Sequence, residues 1–261
     1  MEGILTNHPR EDSQITTLSK IGVMVRQAEL WLRQGERTVS IEGLSARFKI
    51  TTRTDVYRLN ENFEGEYARE IITIFKELGK KGSVVNIGAA QGFYAIYSAL
   101  AGNGVIAIEP DPVTFDALKE NISLNGLEGK IECIKCAIGD KKEEKTLFTD
   151  ETRSDAPSFI QTVSQKKQIT VPVFWIDEVV RHNPDVLVVD VEGYEENVLG
   201  GMGELRPREI FIEIHPRLLA RIGKGQISVQ KLLSDMGYEL KSQYMRGKEL
   251  HCHYSLKIED H

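Results

Sequence analysis

Apolar positions along this chain fall into two rhythms that alternate. "VVNI" (84–87), "GVIAIE" (104–109), "KIECIKCAI" (130–138), "DVLVVD" (185–190) and "EIFIEI" (209–214) are near-continuous apolar runs of strand length. Such runs mark strands buried on both faces. Between them apolar groups recur every three or four residues, as in Phe93, Ile96, Tyr97 and Leu100, and again in Phe115, Leu118 and Ile122. That spacing predicts one-sided helices. Asp111 is the expected N-cap of the second, with Pro112 in its first turn and Gly126 as its stop. Upstream, Leu18, Ile21, Val25, Ala28 and Leu32 predict an amphipathic helix within 11–34, ending at Gly35. "TVSIEGLSARFKITT" reads as a hairpin around Glu42 and Gly43, and a further helix spans about 65–78. A polar excursion from about Asp140 to Thr170 suggests a small hairpin plus a mobile loop over part of the site. A helix at 226–236 and strands near 238–244 and 249–257 close the chain.

Alternating strands and helices with buried strands imply an α/β fold, a mostly parallel sheet covered on both faces. Right-handed crossovers leave few topologies, and ligands in such sheets sit beyond the carboxyl ends of the strands. The chemistry is therefore expected just after residues 87, 109, 135, 190 and 214. The division expected is an N-terminal helix and hairpin extension over 1–64 and the α/β domain over 65–261. The N-terminal helix would pack on its own domain, or cap a pocket or a partner subunit; the last arrangement makes a homodimer.

Composition changes this picture mainly by exclusion. The 261 residues suffice for a sizeable core. A net charge of −6 argues against nucleic acid as the dominant partner. No apolar run has membrane-spanning length and the N-terminus lacks a signal-peptide core, so the cytoplasm is the expected address and no membrane partner is expected. Cys133, Cys136 and Cys252 do not form a disulfide framework. Residues three apart on a strand point to opposite faces, so Cys133 and Cys136 are read as structural thiols rather than zinc ligands.

Three constellations carry chemistry. Gly88 and Gly92 bracket a strand-to-helix turn, "GAAQG", that needs backbone freedom and offers amide groups to an anion. A dinucleotide fingerprint would require glycine where Ala90 and Phe93 stand. Glu109 ends the second strand, where an acid can accept both hydroxyls of a ribose. Asp190 and Glu192, then Glu213 and His215, are spaced by two, which puts each pair on one side of an extended segment. Ionisable groups gathered at neighbouring strand ends point to a catalytic site.

The blocks "VVNIGAAQGFYAIYSA", "VIAIEPDPVTFDALKENISLNGL", "CAIGD", "LVVDVEGYEENVLGGM" and "IFIEIHP" occur in this order. Over roughly residues 40–220 the chain resembles the FkbM family of S-adenosylmethionine (SAM) dependent methyltransferases. The resemblance implies a Rossmann-like class I methyltransferase fold, with seven strands in the order 3-2-1-4-5-7-6 and the seventh antiparallel. It also implies that the thiols of the third strand and the His251-Cys252-His253 run lie too far apart to share a metal. Such families usually carry aspartate where this chain has Asn86, an amide that donates and accepts but brings no charge.

Carried over by position, Asn86, Gly88, Ala89, Ala90, Gln91 and Gly92 would hold the methionine part of SAM, and Glu109 with Pro110 the ribose. Asp111, Cys136 and Ala137 would flank the adenine, while Asp190, Glu192 and His215 would be catalytic. Ser154, Asp155, Ser158 and Glu213 would contact the acceptor. The expected reaction is methylation of a hydroxyl on a small-molecule or carbohydrate-like acceptor. A hydroxyl needs a base, for which His215 is the candidate, or a metal, in which case Asp190 and Glu192 would hold Mg²⁺. Two other readings stay open: a non-catalytic SAM- or nucleoside-binding module, which would lack an acceptor pocket, and a nucleic-acid methyltransferase, which would show a basic, aromatic rim.

Overall fold

Glu42 and Gly43 both take positive φ, 50° and 81°, the backbone that a tight two-residue hairpin turn demands. They fold β1 (Gly35–Ile41) back on β2 (Leu44–Ile50) as the sequence predicts. This computed structural model describes residues 35–50, 65–149, 156–163 and 165–257. The helix expected within 11–34 and the candidate acceptor residues Ser154 and Asp155 lie outside the described residues.

Helix α1 (Glu66–Leu78) buries Tyr67, Ala68, Ile71, Ile72 and Phe75, one stripe at three- and four-residue spacing. β3 (Ser83–Ile87), α2 (Phe93–Leu100), β4 (Gly104–Ile108), α3 (Pro112–Leu124) and β5 (Ile131–Ile134) follow as alternating units. Asp111 caps α3, its Oδ2 accepting from the Thr114 amide at 2.8 Å. After a smaller sheet come β9 (Val186–Asp190), α5 (Glu195–Gly200), β10 (Glu209–Ile214), α6 (Pro216–Arg221) and α7 (Gln226–Asp235). β11 (Tyr238–Arg246) and β12 (Glu249–Leu256) end the fold.

The seven-stranded sheet runs β5-β4-β3-β9-β10-β12-β11, and β12 is antiparallel to β10. This is the expected 3-2-1-4-5-7-6 order. One face buries α1, α2, α3 and the hairpin, and the other buries α5, α6 and α7. The hairpin enters the first core through Val39, Ile41, Ala46 and Phe48. It is also tied to the first loop of the sheet: the Lys49 amide donates to Asn121 Oδ1, and Asn121 Nδ2 donates to the Gln91 carbonyl.

One expected strand divides. "KIECIKCAI" continues past β5 only as β6 (Ala137–Ile138), which leaves the main sheet and pairs with β8 (Lys167–Phe174). β8 pairs antiparallel with β7 (Glu143–Thr149), completing a three-stranded sheet that the polar excursion concealed. The short helix α4 (Ile176–Val179) leads back to β9. Cys136 and Cys252 are buried and Cys133 partly so, all free thiols. Burial alone raises the Cys136 thiol to about 12, as suits an inert core sulfur. Among the described residues no helix is long and apolar enough to cross a membrane.

Candidate active site

The first loop is built by the protein's own crowding. Gly88 has φ 74°, and a Cβ there would lie 1.7 Å from the Asp190 carbonyl oxygen. Gly92 has φ 93°, and a Cβ there would meet the Leu118 side chain at 2.6 Å. Neither glycine requires a ligand to explain it. The loop amides are mostly spent internally: Gly88 and Ala89 both donate to the Ile108 carbonyl at 2.9 Å, and Gly92 donates to Ala89. Ala90, itself at φ 48°, donates to Glu109 Oε2 at 3.0 Å. Glu109 Oε1 accepts from the Asp111 amide at 2.9 Å. The buried acid thus clasps the loop to the start of α3.

Beyond β9 and β10 the second constellation converges on His215. Its Nδ1 lies 2.7 Å from Glu195 Oε1, which also accepts from the backbone amides of His215 and Gly193. Glu195 is fully buried. Nε2 faces Glu192 at 3.2 Å, Glu213 at 3.6 Å and Asp190 at 3.9 Å, none in hydrogen-bond geometry. Glu192 stands at φ 50° beside Gly193 at φ 93°, a strained backbone of the kind that aims functional side chains. Burial disfavours an imidazolium at His215, but Glu192, the Glu195 hydrogen bond, Glu213 and Asp190 outweigh it and hold its pKa well above the ordinary value. Burial, with Asp190, Glu192 and Glu249, pushes Glu213 well above the ordinary carboxylate range against the pull of His215.

The loop and the cluster share one cavity of about 580 Å³, within the usual range for small-molecule sites. Gly88, Ala90, Glu109, Pro110, Cys136 and Ala137 line one part of it; Asp190, Glu192, Glu213 and His215 line another. Residues 86–240 match the methyltransferase FkbM domain. The chain belongs to the FkbM methyltransferase family. The hexuronic acid methyltransferase AglP of Haloferax volcanii is 28% identical over 202 residues, covering 75% of this chain and 78% of that protein. Among solved structures, the precorrin-6y C5,15-methyltransferase of Geobacter metallireducens aligns at 12% identity and TM-score 0.46 over 74% of this chain and 90% of its own. The M. jannaschii tRNA m1G37 methyltransferase aligns at 13% identity and TM-score 0.47 over 87% of this chain, which spans 58% of that protein. These two likenesses are of fold.

Within this FkbM chain, Asn86, Ala89, Gln91, Gly92 and Asp111 are buried or lie behind the cavity wall and do not line it. Asn86 is 2% exposed and its Oδ1 makes no hydrogen bond. Asp111 is occupied in capping α3. Ser158 lines the cavity with its hydroxyl engaged: it donates to the Glu192 carbonyl and accepts from the Ile160 amide. Its backbone pairs in both directions with Phe148, so this part of the expected mobile loop is a pinned wall. Spacing alone did not reveal Glu195, although it lies inside the "DVEGYEENVLGGM" block. Nor did it reveal Arg217 and Arg221, one turn apart on α6, or Arg246 and Lys248 at the β11–β12 turn, which line the same cavity, all but Arg246 from exposed positions, as a basic rim.

Proposed function

We propose that this FkbM protein transfers the methyl group of SAM to a hydroxyl of an acidic, sugar-like acceptor. The observation that carries the reading is the continuity of the cavity, from Gly88 and Glu109 through Cys136 to Asp190, Glu192, Glu213 and His215. The donor end fits SAM in its chemistry: a buried strand-end carboxylate at Glu109 for hydroxyls, and the Cys136–Ala137 segment as a small, apolar flank for a flat ring. The basic rim suits an acceptor with a carboxylate, in keeping with the hexuronic acid named for the relative from Haloferax volcanii.

SAM supplies an activated methyl group, so the protein's work is alignment and proton removal. The acceptor oxygen forms the new bond to carbon as the carbon–sulfur bond breaks, and the sulfur leaves as a neutral thioether. The hydroxyl proton passes to the group of Glu192, His215 and their neighbours. Glu195 fixes the His215 ring from behind, so that Nε2 points into the cavity. Arg217 and Lys248 hold the acceptor's carboxylate away from these acidic side chains.

The test is transfer of a labelled methyl group from SAM to a panel holding a uronate-terminated saccharide, its neutral counterpart, RNA and a protein mixture. The expected product is an alkali-stable methyl ether on the uronate. His215→Ala should lower kcat by about 10²–10⁴-fold, the range for a proton-transfer group. An alkali-labile ester would overturn the hydroxyl assignment, labelling of RNA or protein alone would overturn the acceptor class, and failure to bind SAM would overturn the whole reading.

A further inference from the structure

Glu213 sits in the middle of a row. On β9–β10 it is the register partner of Asp190, and on β10–β12 it is the partner of His251. Register partners project to the same face of a sheet, so three neighbouring strands present carboxylate, carboxylate and imidazole side by side. His215, two residues on, joins the same face at the strand end. One ligand atom each from Asp190, Glu213 and His215 lies within 4.8 Å of the others, a spacing that one ion can bridge.

Acidic clusters are common, and a second observation distinguishes this one. His215 is 4% exposed, yet its Nε2 makes no hydrogen bond while it points at the carboxylates of Glu192, Glu213 and Asp190. With Nδ1–H donated to Glu195, the ring directs Nε2 into the cluster, and a metal ion bound there would take the place of the Nε2 proton. An imidazole oriented by a buried carboxylate on one nitrogen, with the other aimed at carboxylates it does not hydrogen-bond, matches a metal-ligating histidine and its outer partner.

We propose that Asp190, Glu213 and His215 hold a divalent cation on the floor of the acceptor cavity, with Glu195 as the residue that orients the histidine. A set of two carboxylates and one imidazole suits Mn²⁺, Fe²⁺ or Zn²⁺ better than Mg²⁺ or Ca²⁺, which favour oxygen donors throughout. The set therefore differs from the Asp190–Glu192 pair expected for Mg²⁺, with Glu213 and His215 taking the place of Glu192. All three ligands line the cavity, so an acceptor hydroxyl can reach the ion, which would lower the pKa of that hydroxyl. This catalytic role rests on the methyl-transfer reading above, whereas cation binding does not.

The experiment titrates Mn²⁺ into chelator-treated full-length protein without SAM, following free Mn²⁺ by electron paramagnetic resonance. The expected result is one bound Mn²⁺ per chain with an imidazole-nitrogen coupling. Asp190→Asn and Glu213→Gln should each weaken binding at least tenfold, and His215→Gln should also remove the nitrogen coupling. Glu249→Gln should retain binding, with melting curves confirming that each variant is folded. No binding at millimolar Mn²⁺ would overturn the proposal. So would binding that survives His215→Gln but not His251→Gln, which would put the ion on the other side of Glu213 among Glu249 and His251. Turnover unaffected by chelator would overturn the catalytic role, while intact Mn²⁺ binding without any methyl transfer would count against the methyltransferase reading alone.

Discussion

Both carboxylate oxygens of Glu109 accept backbone hydrogen bonds, from Ala90 and from Asp111, so this residue holds the shape of the first loop while facing the cavity. Glu109 also lines the cavity, where the hydroxyls of a bound ribose would meet its carboxylate. Glu109→Ala should weaken SAM binding by about 1.5–3 kcal/mol, the scale of a hydrogen bond to a charged group, or tenfold and more in Kd. It should also lower the melting temperature of the free protein, because two backbone amides, that of Asp111 buried, lose their partner. Calorimetry with the variant checks the first effect and a thermal melt the second. Unchanged affinity with a lowered melt would reduce Glu109 to a structural clasp. The same distinction governs Gly88: the "GAAQG" turn is legible as a turn, but the atom that excludes a Cβ is the Asp190 carbonyl, contributed from about a hundred residues away.

At the scale of elements, His253 on β12 joins three of them. Its Nδ1 lies 2.7 Å from Glu70 on α1, its Nε2 lies 3.0 Å from Glu209 on β10, and its ring stacks on Phe211 at 4.1 Å. Ser242 of β11 also bonds Glu70, and Ser255 bonds Glu209, with Arg208 beside it. Burial disfavours the His253 cation, yet its bonds to Glu209 and Glu70 raise its pKa above 6.5. Burial likewise opposes the Glu209 charge, but His253, Ser255 and Arg208 hold that carboxyl below 4.5. The raised histidine stabilises the fold fully below its unfolded pKa and loses that contribution as pH rises through the folded value. The depressed carboxyl contributes above its unfolded pKa and loses it as pH falls through its folded value. Stability from this junction is therefore greatest between about pH 4.5 and 6.5. His253→Ala should cost about 1.5–3 kcal/mol at pH 6 and less at pH 9, checked by urea unfolding at both. A pH-independent loss would mean that the ring's packing, not its charge, matters. The strands and helices of this layer were readable because runs such as "EIFIEI" and "DVLVVD" are continuous and buried on both sides. The break after β5 was not, because "KIECIKCAI" keeps its apolar content while changing sheets. What ends the strand there is pairing with β8, and a pairing partner leaves no local trace.

For the whole molecule, charge is arranged against its own average. The chain carries −6, and the cavity floor concentrates Asp190, Glu192 and Glu213, yet the rim carries Arg217, Arg221, Arg246 and Lys248. The floor was legible from pairs of ionisable residues two apart at strand ends. The rim was not, since α6 and the β11–β12 turn meet over the site only through the sheet order. Glu195 was hidden for the same reason: a buried acid on α5 becomes meaningful only when β10 brings His215 against it. A basic rim over an acidic floor should capture an anionic acceptor by its carboxylate and present a neutral hydroxyl downward. Arg217 and Lys248 are exposed, so each contact is worth at most about 1 kcal/mol, or up to about fivefold in KM. Arg217→Ala and Lys248→Ala should therefore raise KM for a uronate acceptor by up to about that factor each, with kcat nearly unchanged. Raising the ionic strength should raise the wild-type KM in the same direction, because exposed charges are screened over about 8–10 Å at moderate salt. A neutral sugar acceptor should show neither effect. Steady-state kinetics with the matched acid and neutral acceptors decides it: equal losses on both would mean that the rim shapes the cavity rather than reading charge, and no loss on the acid would remove the rim from recognition.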